Sequence, residues 1–134
     1  MSVKKWKYTK PLGSLELVEA FEKEKRFEFP LAFKEKILKI NGGRPESQCF
    51  VTVNGNERAI KSFLSFNRND RENVWEPGEW MSESFRKYLV PFAIDNFGNY
   101  ICFDQIGTVI FACHDPLCYE VVAYGFDEFL NNLY

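Results

Sequence analysis

The chain has 134 residues, of which 46% are apolar, 17% aromatic and 27% charged, and its formal net charge at pH 7 is −2. This length and balance predict a single folded domain, residues 1–134, with its own core, and they exclude an intrinsically disordered chain. No apolar run is long enough for a transmembrane helix, and the basic N-terminus lacks the apolar segment of a signal peptide. We therefore expect a cytoplasmic protein that does not bind a membrane.

The charges are unevenly distributed along the chain. Residues 1–40 carry ten Lys/Arg against six Asp/Glu, whereas residues 41–134 carry seven against thirteen. A protein that binds nucleic acid directly needs a basic surface, so this pattern argues against nucleic acid as a partner. An acidic body instead favours a basic protein partner.

Two helices are predicted near the N-terminus. Ser14 is a good N-cap residue, and Val18 and Phe21 lie on one apolar face of the helix that follows it. Pro30 suits the first turn of a second helix, which the Asn-Gly-Gly sequence at 41–43 ends. The short link between them predicts a helical hairpin.

Antiparallel strands are predicted next. Residues 49–53 run into Asn54-Gly55, a strong hairpin signal, and a return strand is expected through Ala59 and Ile60. A short helix is predicted at 82–88. Alternating or continuous apolar runs predict four further strands at 89–93, 100–104, 108–112 and 120–124.

A C-terminal helix is predicted because Phe126, Phe129, Leu130 and Leu133 recur at helical spacing. The order of elements predicts an α+β fold, in which an antiparallel β-sheet is wrapped by an N-terminal helical hairpin and a C-terminal helix. The residues predicted to be buried in its core are Phe33, Ile37, Ile101, Phe103, Val109, Phe111, Phe129 and Leu133.

Residues 65–80 are polar and irregular, which predicts an exposed, mobile loop. Two tryptophans flank a turn in this loop, and exposed tryptophan is a preferred interface anchor. The alternative is that one or both rings fold back and cap the sheet. The predicted partner-binding residues are Asp70, Glu72, Trp75, Glu76, Glu79 and Trp80, and the alternative surface comprises the acids around Asp95, Asp104 and Asp115.

A cysteine- and histidine-containing segment is the one candidate for catalysis. Cys113, His114 and Asp115, with Cys118 nearby, could supply a nucleophile and a base. However, neighbouring residues on a strand point to opposite faces, and the spacing matches no common zinc site. Without an export signal, we expect all four cysteines to be reduced thiols, with Cys49 and Cys102 as small core residues.

Residues 95–99 are superficially similar to a calcium loop. The third and twelfth positions of such a loop need oxygen ligands, but they are Phe97 and Ile106 here. We therefore interpret the segment as a turn. Altogether we predict no catalytic residue, no metal site and no cofactor.

Three segments, taken in order, resemble a known family. Residues 29–43 (Phe-Pro-Leu-Ala-Phe at their start, Asn-Gly-Gly at their end), the hairpin at 90–104 and the closing helix at 122–133 resemble the motifs of the SUKH superfamily, also called the Smi/Knr family. Gly125 stands where the family often has Ser or Thr. In this family Pro30, Gly42, Gly43, Gly98 and Asn99 set backbone geometry, and we expect a positive φ for at least one of Gly43 and Gly98.

The resemblance implies an α+β fold and a bacterial immunity protein. Such a protein is a non-enzymatic binder that neutralises a cognate polymorphic toxin, often a nuclease, by occluding it. Two alternatives stay open: a regulatory or scaffold interaction module of the Smi/Knr type, and an enzyme centred on Cys113, His114 or Cys118. The sequence leaves the toxin's identity and the oligomeric state undetermined.

Overall fold

The fold was examined in a computed structural model that describes residues 5–81, 89–114 and 116–134. Its helices are α1 (Glu16–Lys25), α2 (Leu31–Ile40) and α3 (Phe126–Asn131). Its strands are β1 (Trp6–Lys7), β2 (Arg44–Pro45), β3 (Cys49–Val51), β4 (Glu57–Ala59), β5 (Ser62–Phe63), β6 (Val90–Ile94), β7 (Tyr100–Phe103), β8 (Val109–His114) and β9 (Leu117–Ala123). This content confirms the predicted α+β class. The helix predicted at 82–88 lies outside the described residues.

The main sheet is antiparallel and has five strands in the order β5-β6-β7-β8-β9, which is also their order in the chain. The β3–β4 hairpin forms a separate pair, as its Asn54-Gly55 turn predicts, and Gly55 has φ +87°. This hairpin is attached to the edge of the main sheet, because the Val53 N–H donates a 2.9 Å hydrogen bond to the Val121 carbonyl. The short strands β1 and β2 form a third pair.

The helix boundaries follow from local chemistry. The Glu16 N–H donates to the Ser14 hydroxyl at the start of α1, close to the predicted cap. The carbonyl of Pro30 accepts hydrogen bonds at the start of α2, and Gly42, with φ +67°, follows its end. The helices are linked by a 3.1 Å ion pair between Glu22 and Lys34. Their packing as a hairpin stays a prediction.

Aromatic side chains form the centre of the core. The Phe33 ring of α2 lies 5.9 Å from Phe92 in β6, 5.3 Å from Phe103 in β7 and 5.3 Å from Phe126 in α3. These contacts place α2 and α3 against the same face of the sheet. The core prediction is confirmed, since each of its eight residues is buried: Phe33, Ile37, Ile101, Phe103, Val109, Phe111, Phe129 and Leu133.

The two glycines singled out in the sequence serve different purposes. Gly98 has φ +81°, which confirms that at least one of the pair has a positive φ. Gly43 is required by space instead. A Cβ there would lie 2.7 Å from the Thr9 methyl carbon and 2.9 Å from the Ile40 carbonyl oxygen.

The prediction of an exposed loop at 65–80 is wrong, because the apolar side chains of this segment are buried. Phe66, Val74 and Trp75 all belong to the core, as does Met81 directly after the segment. Irregular backbone can be buried only if its polar groups find partners, and side chains supply them here. The Asn73 side-chain oxygen, for example, accepts hydrogen bonds from the backbone N–H groups of Trp75 and Glu76.

Asn41 is the fully buried link between this segment and the rest of the fold. Its side-chain oxygen accepts a 2.8 Å hydrogen bond from the Phe66 N–H. Its side-chain nitrogen donates to the Lys10 carbonyl at 3.0 Å and to the Ser65 hydroxyl at 3.1 Å. One amide therefore joins the end of α2, the N-terminal segment and the start of the irregular segment.

Candidate partner-binding site

The structure divides the six predicted partner-binding residues into groups with different surroundings. Asp70 accepts a 2.5 Å hydrogen bond from the Ser65 hydroxyl and lies 3.8 Å from Lys10. Glu72 forms a 2.8 Å ion pair with Lys61. Both carboxylates are half-buried and already face cations, so they contribute little to an acidic surface field.

Trp75 is not exposed: only 6% of its surface reaches solvent. Its ring lies 5.3 Å from Phe21 of α1, and the Arg68 guanidinium covers it at 3.6 Å. Its indole N–H donates a 2.8 Å hydrogen bond to the Phe66 carbonyl. The interpretation of Trp75 as an exposed interface anchor is therefore wrong.

Trp80 lies at one end of the main sheet and is half-buried. Its ring stacks against Tyr100 at 5.6 Å and against His114 at 5.0 Å, and its indole N–H donates a 3.2 Å hydrogen bond to the Gly98 carbonyl. The Gly78 N–H donates to the Tyr100 hydroxyl at 2.8 Å. Trp75 thus packs in the core and Trp80 packs against the sheet, which is the alternative that the sequence leaves open.

Tyr100, one of the two rings that stack on Trp80, is buried. Burial, the largest influence, raises the pKa of Tyr100, and the hydrogen bond from Gly78 only partly opposes it. The phenol is therefore neutral at physiological pH. It acts as a hydrogen-bonding support for residues 78–80.

Glu76 and Glu79 are exposed on either side of Gly78. Gly78 is hydrogen-bonded to the Tyr100 hydroxyl, and the Trp80 indole is hydrogen-bonded to the Gly98 carbonyl. This acidic pair therefore lies near the turn between β6 and β7. Among the described residues neither carboxylate forms an ion pair. Glu76 and Glu79, next to the half-buried Trp80, are the part of the predicted set that is exposed at the surface.

Phe97 is predicted from the sequence only as part of a turn, and its role as a surface residue is not predicted. The structure leaves 80% of this side chain exposed at the tip of the β6–β7 turn. Its backbone is fixed, because the Asp95 carboxylate accepts hydrogen bonds from the N–H groups of Phe97 and Asn99, each at 2.8 Å. The signal in the sequence is an apolar residue next to a glycine in the predicted turn at 95–99, because turns lie at the protein surface.

The alternative acidic surface does not form as expected. Asp95 is buried, and its carboxylate is used by the β6–β7 turn. Asp104 is half-buried, and its carboxylate accepts hydrogen bonds from the N–H groups of Ile106 and Thr108 in the turn between β7 and β8. Asp115 lies outside the described residues.

The cysteines differ from the prediction of four reduced thiols. A disulfide joins Cys113 of β8 to Cys118 of β9, whose Cα atoms lie 5.2 Å apart as direct cross-strand partners. Cys49 and Cys102 are free, but Cys49 is only half-buried, so its prediction as a core residue is wrong. Cys102 is a buried core residue as predicted, and burial raises the pKa of its thiol far above the ordinary range.

These positions argue against cysteine catalysis. The Cys113 sulfur is in a disulfide, so it is not available as a thiolate nucleophile. His114 Nε2 lies 3.0 Å from the Phe97 carbonyl oxygen and its ring is stacked on Trp80. Across residues 5–81, 89–114 and 116–134, no three His, Cys, Asp or Glu side chains lie close enough together to hold a metal ion.

Glu120 of β9 is a buried carboxylate with a complete set of protein partners. Arg58 donates to one oxygen through Nε at 3.0 Å and Nη2 at 2.8 Å, while Thr52 and Asn56 donate to the other. Burial alone would favour the neutral acid, but the hydrogen bonds from Asn56 and Arg58 and the charge of Arg58 outweigh it and lower the pKa of Glu120. We interpret this cluster as structural: it fixes the β3–β4 hairpin to β9.

Within the described part of the chain, no helix combines the length and the apolar composition that a membrane span needs. A family model described as "SMI1 / KNR4 family (SUKH-1)" matches residues 13–132. Among the described residues, the matched region includes α1, α2, α3 and every strand except β1. No curated protein and no solved structure matches the chain.

Proposed function

Because the chain belongs to the SMI1 / KNR4 family (SUKH-1), we propose that it is a non-enzymatic immunity protein, which binds a cognate protein toxin and neutralises it by covering the toxin's active site. The observation that carries this proposal is the family match over residues 13–132. The acidic balance of residues 41–134 supports a basic partner such as a nuclease toxin.

We propose that the six predicted partner-binding residues have unequal roles in toxin binding: Asp70, Glu72, Trp75, Glu76, Glu79 and Trp80. Glu76, Glu79 and the exposed part of Trp80 contact the toxin. The other three residues act indirectly, because they stabilise the irregular segment. Trp75 is hydrogen-bonded to Phe66 and Asp70 to Ser65, while Glu72 forms an ion pair with Lys61. Acids at the rim of an interface accelerate association with a basic partner and make it sensitive to salt.

The proposal includes action in the cytoplasm of the cell that makes the protein, since a toxin has to be neutralised before it reaches that cell's own targets. Occlusion needs no chemical step: a toxin whose active site is covered cannot reach its substrate. Specificity then depends on surface side chains, through differences in affinity between competing toxins.

The test starts from the gene neighbourhood: a toxin domain encoded immediately upstream is the expected partner, and it is co-expressed with this chain. We expect cells that produce the active toxin to survive only when the protein is present. A catalytically inactive toxin domain should co-purify with it as a complex on size-exclusion chromatography. Hen lysozyme, a basic protein of similar size, serves as the control and should not bind.

Two results would contradict the proposal. Cells that die at the same rate with and without the protein would show that it does not neutralise this toxin. Failure of the inactive toxin domain to form a complex at micromolar concentration would exclude occlusion, and the regulatory or scaffold module would then be the better interpretation.

A further inference from the structure

Two turns of the main sheet share the same design. In each, an aspartate accepts hydrogen bonds from the backbone two and four residues later, and a positive-φ glycine follows an apolar residue. The turns are Asp95–Asn99 and Asp104–Thr108, and they lie at opposite ends of the strands. Their apolar residues, Phe97 and Ile106, are 80% and 88% exposed. Neither side chain contributes to the protein's own core.

The Phe97 turn is held by additional side chains from other parts of the fold. Trp80 donates its indole N–H to the Gly98 carbonyl. The His114 N–H donates to the Asn99 side-chain oxygen at 3.2 Å, and His114 Nε2 lies 3.0 Å from the Phe97 carbonyl oxygen. A ring displayed on a backbone fixed in this way loses little conformational entropy when a partner covers it.

The surroundings of Phe97 match the centre of a protein interface. Leu117 is the cross-strand partner of His114 and is 57% exposed, so a second apolar side chain lies at the same end of the sheet. The exposed residues Glu76 and Glu79 lie near this end of the sheet, because Gly78 is hydrogen-bonded to Tyr100 and Trp80 to Gly98. An apolar centre with an acidic rim complements a basic surface that contains an apolar pocket.

We infer that Phe97 is the anchor residue of the interface and that its ring enters an apolar pocket on a basic protein surface. This inference rests on the proposed function and specifies where the toxin binds. Glu76 and Glu79 face the basic residues around that pocket, while Trp80 and His114 hold the anchor from behind.

The experiment measures binding of the full-length protein to the inactive toxin domain by biolayer interferometry. Phe97→Ala should weaken affinity by about thirtyfold or more, mainly through faster dissociation, as is typical of a central aromatic anchor. Ile106→Ala is the matched control, because it removes an equally exposed apolar side chain from the corresponding turn. It should leave affinity unchanged within twofold, and thermal unfolding should show both variants folded.

A second pair of variants tests the acidic rim. Glu76→Lys combined with Glu79→Lys should slow association at least tenfold at low salt and much less at high salt. Glu19→Lys combined with Glu35→Lys changes the net charge equally on the exposed faces of α1 and α2. This control should change the association rate far less.

The outcomes separate this inference from the proposed function. If the parent protein binds the toxin domain and Phe97→Ala binds equally well, the inference is wrong while the proposed function stands. Loss of binding in Ile106→Ala instead would place the interface at the opposite end of the sheet and would also overturn it. If the parent protein itself does not bind, the proposed function fails and the inference fails with it.

Discussion

The indole N–H of Trp75 donates a 2.8 Å hydrogen bond to the carbonyl oxygen of Phe66, and both side chains lie in the core. This bond closes the irregular segment on itself across nine residues of chain. It gives the Phe66 carbonyl a partner that no strand or helix supplies. The apolar side chains of this segment are therefore part of the hydrophobic core, although its composition is typical of a surface loop.

Trp75→Ala should lower the free energy of unfolding by about 3–5 kcal/mol, because it removes a large buried ring. Trp75→Phe should have a smaller effect, about 1–3 kcal/mol, since a ring remains but the Phe66 carbonyl loses its donor. Urea unfolding followed by circular dichroism measures both values. If Trp75→Ala lowers the free energy of unfolding by less than about 1 kcal/mol, as a surface substitution would, the burial of this ring is contradicted.

Glu120→Gln should destabilise the protein at pH 7 by about 1.5–3 kcal/mol, because it weakens charge-assisted hydrogen bonds from Arg58 and Asn56. The folded state lowers the pKa of Glu120. The carboxylate therefore stabilises the fold above its unfolded pKa of about 4.3, and this contribution is lost as the pH falls through the lower, folded pKa.

The measurement for Glu120 is chemical unfolding of parent and variant at several pH values between neutral and strongly acidic. The difference in free energy between the two proteins should be constant near neutral pH and should shrink at the acidic end. Glu35→Gln, at an exposed position on α2, is the control and should show no such trend. A difference that is independent of pH would show that the charge of Glu120 is unimportant.

Gly98→Ala should lower the free energy of unfolding by about 1–2 kcal/mol, because a residue with a Cβ is disfavoured at φ +81°. Space does not limit the substitution, since the nearest atom, in the His114 ring, would lie 3.7 Å away. Gly13→Ala is the control, with no positive φ and no atom within 4 Å of the added carbon. Equal melting temperatures for the two variants would argue against the strain.

Alkylation of the folded protein without a reductant should modify Cys49 alone among the four cysteines. Cys102 is protected by burial, which also raises the pKa of its thiol, and Cys113 and Cys118 have no free thiol. Mass spectrometry of the peptides identifies the modified sites. After reduction and unfolding all four should react, whereas labelling of Cys113 in the untreated protein would restore the prediction of reduced thiols.

The sequence is sufficient to predict those parts of the fold whose causes are local. Helical spacing of apolar residues predicts α2 and α3, and turn chemistry predicts the hairpin at Asn54-Gly55. The burial of residues 65–81 has no such local cause. It depends on Asn41, which lies far away in the chain and donates to and accepts from this segment.

The candidate site is less predictable than the fold for a similar reason. The acids Glu76 and Glu79 are recognisable as surface residues by their charge. The environment of Trp80 depends on stacking against Tyr100 and His114, which come together only when β7 and β8 pair. Whether a tryptophan anchors a partner or the protein's own sheet is decided by such tertiary contacts, and local sequence does not contain them.

The strand order of the main sheet has a consequence for the kinetics of folding. From β6 to β9 every strand pairs with its immediate neighbour in the chain, and only short turns separate them. Short turns close with little loss of chain entropy, so these strands can assemble before distant segments meet. We therefore expect substitutions in the turns at 95–99 and 104–108 to slow refolding. Residues 65–81 pack against parts of the chain that are distant in sequence, such as Phe21 and Asn41, so substitutions there should mainly accelerate unfolding.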